Sequence, residues 1–246
     1  MQLNIFKDYQ SVSLYTAELM VARIQEKPDC MICMAAGDTQ KLCLQYFVEK
    51  IKTNKLNISK VQFVALDEWV KIPPSLPGSC QHFFRQNLSN PLNLAEEQVH
   101  FFNAISDDLE DECRKMDELI FNLGPIDLIL VGIGLNGHIG FNEPGVSPGL
   151  YAHVMELDDI TQSVGQKYFK KITTLNKGIT LGLQHLMEAN EAVLMANGLQ
   201  KAKIIKKALK EDISPYVPAS IIRAHKNGWI FLDEEAASML SLPHKN

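Results

Sequence analysis

Short runs of apolar residues alternate along the chain with stretches in which apolar residues recur every three or four positions. The runs are four to eight residues long, a length typical of strands that are buried on both faces. They occupy residues 31–36, 61–66, 126–133, 192–196 and 229–232. Helical spacing is found at about residues 12–24, 41–52, 107–122, 177–187 and 199–210. In the last stretch, the apolar face is expected to comprise Leu199, Ala202, Ile205 and Leu209.

This alternation predicts an α/β fold with a doubly wound, mostly parallel sheet and helices on both faces, a Rossmann-like arrangement. No internal repeat, low-complexity tract or Gly/Ser-rich linker interrupts the 246 residues, so we expect one domain over residues 1–246. The proline-rich segment 72–77 is expected to be a surface loop. In such sheets a ligand binds beyond the carboxyl ends of the strands, so polar residues that follow the apolar runs are candidate site residues.

Composition narrows the class of partner. The chain is 46% hydrophobic and 22% charged, as expected for a globular protein with a sizeable core. Its net charge of −5, with Lys and Arg spread thinly, gives no footprint for nucleic acid, so a small-molecule substrate is expected. No window approaches the ~20 apolar residues of a membrane span, and residues 1–7 do not have the pattern of a secretory leader. We therefore expect a cytoplasmic protein without a membrane partner.

The cysteines agree with a reducing compartment. There are five of them, an odd number, which is typical of free thiols rather than of a disulfide framework. Cys30 and Cys33 form a C-x-x-C within an apolar run, without a second ligand pair at zinc-site spacing. We interpret them as ordinary core cysteines, and no metal site is predicted.

The first apolar run is followed by a glycine turn, Ala35-Ala36-Gly37-Asp38-Thr39, that leads into a predicted helix. The free N–H groups and the positive dipole end of a helix can hold a phosphate. The alternative is that Gly37 only makes a tight turn and that Asp38 or Thr39 caps the helix. Asp38 would repel a phosphate unless its side chain points away.

The second apolar run is followed by Asp67 and Glu68, two acids at the carboxyl edge of the predicted sheet. An apolar surround can raise a carboxyl pKa until the group is useful as a general base. An exposed loop acid is the alternative interpretation. The next residue, Trp69, is interpreted as a packing residue rather than as a substrate platform.

The most informative segment is GIGLNGHIGFNEP, residues 132–144. Four glycines within nine residues allow close backbone approach and unusual dihedral angles around His138, with Glu143 nearby. The segment can be mistaken for a dinucleotide fingerprint, but His138 stands where the helix of that motif would begin, so no nucleotide cofactor is expected. A histidine is suited to shuttling protons at neutral pH, and Glu143 can orient or charge it.

These motifs carry a family resemblance. The segments LDEWV (66–70) and GIGLNGHIGFNEPG (132–145) resemble the glucosamine-6-phosphate deaminase family and, more closely, galactosamine-6-phosphate isomerase. The likeness continues through residues 77–80, 177–183 and 218–220 and covers nearly the whole chain. It implies a deaminating isomerase that converts an amino-sugar 6-phosphate into a ketose 6-phosphate and ammonia, with no metal or organic cofactor.

The resemblance also implies individual roles. Asp67 matches the base that transfers the substrate proton, His138 the group that opens the sugar ring, and Glu143 its supporting carboxylate. Asn136 stands where many members carry aspartate, so it can orient His138 but cannot stabilise the imidazolium by charge.

Phosphate would be held by the Gly37–Thr39 turn with Lys167 and Lys201, which match the cationic positions of the family. For either lysine the alternative is an exposed helix charge. The turn reads AAGDTQ rather than a TGGTP type, so it loses a hydroxyl, a glycine and a proline and gains an acid.

Several alternatives stay open from the sequence. Tyr151 and Ala152 replace a Ser-Arg pair, as in the galactosamine branch, which favours a galacto substrate over glucosamine 6-phosphate. A 6-phosphogluconolactonase has a similar fold and a related glycine-histidine block, although residues 142–144 and Trp69 argue against it. A non-catalytic sugar-phosphate sensor would not need a complete proton relay. The family contains monomers and hexamers, so a homo-oligomer is one of two expectations for the assembly.

Overall fold

Residues 1–240 are the part of the chain that the computed structural model describes. Its strands are β1 (Gln2–Phe6), β2 (Met31–Met34), β3 (Gln62–Ala65), β4 (Asp67–Trp69), β5 (Val99–His100), β6 (Leu128–Val131), β7 (His153–Glu156), β8 (Lys177–Thr180), β9 (Ala192–Ala196) and β10 (Gly228–Asp233). Its α-helices are α1 (Tyr9–Glu26), α2 (Asp38–Asn54), α3 (Cys80–Phe84), α4 (Asn90–Leu92), α5 (Leu109–Leu123), α6 (Asp159–Gly165), α7 (Leu183–Glu188), α8 (Ala202–Lys210) and α9 (Glu234–Ala237). Short 3₁₀ turns at Gln166–Tyr168 and Leu199–Lys201 carry the two candidate lysines, Lys167 and Lys201.

Seven strands form one parallel sheet in the order β1-β10-β9-β6-β2-β3-β5. Alternate residues of each strand face opposite sides, so Ile32 and Met34 lie in one core with α1 and α2, whereas Met31 and Cys33 lie in the other with α5, α7, α8 and α9. The doubly wound, mostly parallel fold predicted from the sequence is confirmed.

The chain reverses its direction of progress across the sheet between β2 and β6. After β2 it builds β3 and β5 on one side, and then returns to build β6, β9 and β10 on the other. Loops that leave two adjacent strands in opposite directions open a crevice at their carboxyl ends. The turn at Gly37 follows β2 and the segment 132–144 follows β6, so both flank this crevice.

A second, three-stranded antiparallel sheet has the order β4-β8-β7. The helix predicted over residues 177–187 is therefore wrong in its first half, because residues 177–180 form β8 and only residues 183–188 are helical. Ile179, Leu181 and Leu183 alternate with a period of two, which is the strand period, and a Cβ atom at Gly178 would lie 2.2 Å from Cδ2 of Phe141. Tertiary contact thus selects the strand.

Other differences concern the ends of the elements. The strand β1 was missed because its short sequence QLNIF is only half-buried at the edge of the sheet. The helix α1 begins three residues before its predicted start, at a point where the Asp8 side chain accepts a hydrogen bond from the N–H of Ser11. The predicted apolar face of residues 199–210 is wrong for Leu199, which is 65% exposed; the buried residues of α8 are Ala202, Ile204, Ile205 and Ala208.

The remaining expectations concern the surface loop, the thiols and the membrane. Residues 72–77 contain neither helix nor strand and are mostly exposed, as predicted. All five cysteines are free and buried, in agreement with the prediction of free thiols and with the interpretation of Cys30 and Cys33 as core residues. No helix within residues 1–240 is long and apolar enough to cross a membrane.

Candidate active site

The loops at the carboxyl ends of β2, β3, β6 and β9 border a cleft of about 550 Å³. The predicted site residues that line this cleft are Gly37, Asp38, Thr39, Asp67, His138, Lys167 and Lys201. Asn136 and Glu143 do not line it, but Asn136 contacts the backbone N–H of His138 and Glu143 lies near Nδ1 of its imidazole. Residues far apart in the sequence therefore meet at one place because four parallel strands end at the same edge of the sheet.

Asp67 is the first residue of β4 and is only 7% exposed. Burial raises its pKa to about 7; a hydrogen bond with the Cys80 side chain opposes this effect and the charge of Glu68 adds to it. A carboxyl group that titrates near neutrality can both accept and return a proton at physiological pH. This is the property expected of a base that moves a proton within a substrate.

The glycine-rich segment approaches Asp67 at Gly140. This residue has φ of +57°, and a Cβ atom here would lie 2.7 Å from Oγ1 of Thr180 and 3.2 Å from Oδ2 of Asp67. Glycine is therefore required both for the backbone conformation and for the close approach. It brings the loop that carries His138 against the strand that carries Asp67.

Glu68 is buried, so the alternative interpretation of this acid as an exposed loop residue is wrong. It is 3% exposed and its carboxylate accepts hydrogen bonds from the backbone N–H groups of Trp69, Cys80 and Gln81 at 2.8, 2.9 and 2.8 Å. Its carboxylate thereby fixes the start of α3 to β4. Trp69 packs against Phe141, with ring centroids 4.6 Å apart, and also borders the cleft.

His138 is held by groups on its Nδ1 side. Nδ1 lies 2.9 Å from Oγ1 of Thr161 and 3.5 Å from Oε2 of Glu143. A Cβ atom at Gly134 would lie 2.4 Å from Nε2, so only glycine leaves space for the imidazole. Because Nδ1 is occupied, Nε2 is the nitrogen left to exchange a proton with a ligand.

Glu143 is an ionised, buried partner for this histidine. Burial alone would raise its pKa, but hydrogen bonds from His138, Thr161 and Asn136 outweigh that effect and lower the pKa. The Nδ2 group of Asn136 donates to Oε2 of Glu143 at 2.8 Å, and Oδ1 of Asn136 accepts from the backbone N–H of His138 at 3.2 Å. Asn136 therefore orients the carboxylate and the loop rather than the imidazole ring itself.

The turn after β2 presents backbone groups without a side-chain cap. Gly37 is the N-cap of α2, with φ of +139°, and makes no side-chain cap bond; Asp38 and Thr39 are already inside the first turn. The alternative that one of these two residues caps the helix is therefore wrong. The turn at Gly37, Asp38 and Thr39 lines the cleft, and an uncapped helix N-terminus is the kind of group that an anion site uses.

The two candidate lysines have different surroundings. Lys201 is mostly buried, donates from Nζ to the backbone carbonyl of Ile133, and has its pKa lowered to about 8 by burial and by the charge of Lys167. Lys167 is half-exposed, with Nζ 2.7 Å from Oδ2 of Asp38 and 4.8 Å from the Tyr168 ring centroid. Lys201 is thus not an exposed helix charge, and Lys167 already pairs with an acid of the same cleft.

Thr161 and Gln40 are polar residues of the site that were not identified from the sequence. Thr161 lies on α6 and contacts His138, although no sequence signal connects them. Gln40 is 2% exposed and lies between Gly37 and Gly132, and its Nε2 group has no hydrogen-bond partner among the described residues. The sequence does signal Gln40 indirectly, because it replaces the proline of the TGGTP pattern. A buried amide without a partner at a cleft is a candidate ligand contact.

A metal site would require side chains that could bind a metal ion together. Among residues 1–240, no group of three or more His, Cys, Asp and Glu side chains is arranged to hold a metal ion. The cleft and its supporting residues supply acid-base groups and cations: a buried carboxyl with a pKa of about 7, a histidine with an ionised partner, and two lysines beside a helix N-terminus.

The fold and this cleft define an α/β protein with acid-base groups at the carboxyl edge of a parallel sheet. Residues 8–231 match the family described as glucosamine-6-phosphate isomerases/6-phosphogluconolactonase. The chain belongs to this family of enzymes, and the family predicted from its motifs is confirmed.

The relatives agree with this assignment. A glucosamine-6-phosphate deaminase of Thermoanaerobacter sp. (strain X514) is 37% identical over 241 residues, which cover 98% of this chain and 95% of that protein. A solved monomeric glucosamine-6-phosphate deaminase superposes with a TM-score of 0.94 at 31% identity, covering 97% of this chain and all of the other. The 6-phosphogluconolactonase of Trypanosoma brucei shares the fold, with a TM-score of 0.78 over 98% of each chain, at only 17% identity.

Proposed function

We propose that the protein is a deaminating aldose-ketose isomerase that converts an amino-sugar 6-phosphate and water into a ketose 6-phosphate and ammonia. The observation that supports this most directly is Asp67, a buried carboxyl with a pKa of about 7 that borders the same cleft as His138. Moving a proton between two carbons of one substrate requires a base that also gives the proton back, and this carboxyl is suited to both steps at neutral pH.

In this proposal His138 opens the pyranose ring. Its imidazole removes the proton of the anomeric hydroxyl and delivers a proton to the ring oxygen, which leaves the open-chain aldehyde. Glu143 lies 3.5 Å from Nδ1 and is ionised, so it stabilises the charged imidazole that forms in between. Thr161 fixes the plane of the ring through its 2.9 Å contact with the same nitrogen.

Asp67 then acts on the open chain. As a carboxylate it removes the C2 proton, which the neighbouring amine and carbonyl make acidic, and an enolamine forms. Return of a proton to C1 gives an imine at C2; water adds to it, the C2–N bond breaks, and ammonia leaves a ketone. Each positioned proton transfer typically contributes about 10²–10⁴-fold to the rate.

The phosphate of the substrate would bind at the Gly37–Thr39 turn with Lys167 and Lys201. Both lysines and the turn line the cleft, and Gln40 offers a further polar contact between Gly37 and Gly132. Cations together with a helix N-terminus are suited to a doubly charged anion. Lysines act here as point charges because they lack the fork geometry of arginine.

Glucosamine 6-phosphate is the first substrate to test, because the relatives named above are glucosamine-6-phosphate deaminases. The preference for galactosamine 6-phosphate stays a prediction, and the residues that line the cleft add no support to it. Tyr151 and Ala152, on which it rests, are not among the residues that line the cleft, and the Tyr151 hydroxyl donates instead to Glu188 at 2.8 Å.

The test is ammonia release by the purified protein, without added metal or nucleotide, from both amino-sugar phosphates side by side. The 6-phosphogluconolactone is assayed in parallel for hydrolysis. We expect ammonia from at least one amino sugar and deuterium in the ketose product when the reaction runs in heavy water. Lactone hydrolysis without ammonia release would replace the proposal with the lactonase alternative.

The remaining predictions are part of the same proposal. We infer action in the cytoplasm, which the five free cysteines support because they suit a reducing compartment. A single domain over residues 1–246 and homo-oligomeric assembly also stay predictions.

A further inference from the structure

An acid of the cleft already pairs with one of its cations. Oδ2 of Asp38 lies 2.7 Å from Nζ of Lys167, and both residues line the cleft. Asp38 is also the acidic residue in the first turn of α2, where the helix dipole favours a negative charge. Its carboxylate therefore already interacts with Lys167 and with the N-terminus of α2, the two features that would attract the phosphate of a ligand.

The charges around this place are coupled. Burial lowers the pKa of Lys201 to about 8 and the charge of Lys167 adds to this shift, whereas the charge of Asp38 acts in the opposite direction. With both lysines protonated, Asp38 leaves the three residues with a charge of +1 instead of +2. A phosphate monoester carries close to two negative charges above its second pKa of about 6, so it would profit from the full +2.

A separate observation indicates that a polar ligand belongs here. Gln40 is 2% exposed, lines the cleft, and has an Nε2 group without a hydrogen-bond partner among residues 1–240. It lies next to the turn, since its Oε1 is 3.6 Å from the Cβ position of Gly37 and its Nε2 is 3.1 Å from that of Gly132. A buried donor of this kind costs stability unless a ligand or water satisfies it.

We propose that Asp38 is a competing anion: its carboxylate holds Lys167 in the free enzyme, and the phosphate group of a ligand must displace it to bind. This rests on the proposed function in taking a sugar phosphate as the ligand. Because Asp38 competes with substrate and product alike, it weakens the binding of both and favours release of the ketose phosphate. It is a residue that sets affinity and takes no part in proton transfer.

The expected effect is moderate. Lys167 and Asp38 are half-exposed or more, with side-chain exposures of 50% and 67%, and exposed ion pairs contribute little in water. Removing the charge also removes its repulsion of a dianion, which is screened by salt. We expect Asp38→Asn to bind phosphate about three- to tenfold more tightly at low ionic strength, with less gain at high ionic strength.

The experiment uses the full chain and two readouts. Inorganic phosphate binding is measured by titration calorimetry, and KM for glucosamine 6-phosphate is measured by ammonia release. For Asp38→Asn we expect the Kd of phosphate and the KM to fall together. The matched control is Glu156→Gln, which removes the same charge from the Lys177–Glu156 pair, with Nζ–Oε1 2.9 Å and exposures of 50% and 71%, outside the cleft. It should leave both quantities unchanged.

A double-variant comparison tests whether Asp38 acts through Lys167. In a Lys167→Met background, Asp38→Asn should give a smaller gain, because the ion pair is already absent and only the direct repulsion between Asp38 and the phosphate is removed. The proposal is wrong if Asp38→Asn leaves phosphate affinity unchanged, if Glu156→Gln tightens binding equally, or if the full gain persists without Lys167. Circular dichroism of each variant establishes that it is folded.

The outcomes separate this inference from the proposed reaction. Ammonia release by the unmodified protein, with no change of phosphate affinity in Asp38→Asn, overturns the competing anion alone. If Asp38→Asn binds phosphate more tightly but neither it nor the unmodified protein releases ammonia, the competing anion is supported and the proposed reaction is contradicted.

Discussion

Replacing Asp67 with asparagine should stabilise the folded protein and, at the same time, remove its activity. The pKa of Asp67 is about 7 in the folded protein, against an ordinary value of 3.8. Well below pH 3.8 the group is neutral in both states and costs nothing. As the pH rises from there, the unfolded chain loses the proton first, and the folded state loses stability by about 1.4 kcal/mol per pH unit until the pH reaches the folded pKa.

The magnitude follows from the two pKa values. At pH 8 the buried carboxylate costs the folded state about 4 kcal/mol, and at pH 5 the buried acid costs about 1.5 kcal/mol. Asparagine has nearly the same shape and no charge to bury. Asp67→Asn should therefore have a larger free energy of unfolding than the unmodified protein. This difference between the two proteins should be about 2.5 kcal/mol greater at pH 8 than at pH 5.

The assay is urea unfolding of both proteins at the two pH values, with Asp107→Asn as the control because Asp107 is exposed. In parallel, kcat should fall by about 10²–10⁴-fold, and the variant should no longer incorporate solvent deuterium into the product. A stability difference that is the same at both pH values would refute the assigned burial cost. Normal deuterium incorporation would refute the role as base.

Three further predictions concern neighbouring groups. Thr161→Val removes the contact with Nδ1 of His138 and should lower kcat by roughly tenfold, whereas Thr161→Ser should retain most of it; initial rates at saturating substrate check this. Gly140→Ala should destabilise the protein by more than Gly145→Ala, because both have positive φ but only position 140 places a Cβ against Thr180 and Asp67; thermal unfolding would contradict this if the two losses were equal. KM should rise above about pH 8 as Lys201 loses its proton, and Lys201→Arg should flatten the profile; an unchanged profile argues against Lys201 as a phosphate ligand.

Much of the fold and the site follows from local sequence pattern. Continuous apolar runs such as residues 31–36 and 192–196 predict a parallel sheet because only strands covered on both faces lack polar positions. The rule that ligands bind at the carboxyl ends then singles out Asp67, His138 and the turn at Gly37, and all of them line one cleft. The strand at residues 177–180 was not predicted, because a short period-two pattern followed directly by a helix resembles one longer helix.

Local sequence pattern therefore suffices for the layer architecture, the edge at which the cleft lies and the acid-base residue types, since each depends on residues close together in the chain. The environment of each group depends on how the chain packs. The pKa of Asp67, the contact of Thr161 with His138 and the pairing of Asp38 with Lys167 arise between segments that are distant in sequence. Burial and charge interactions act through space, so they take their values only once the chain has packed.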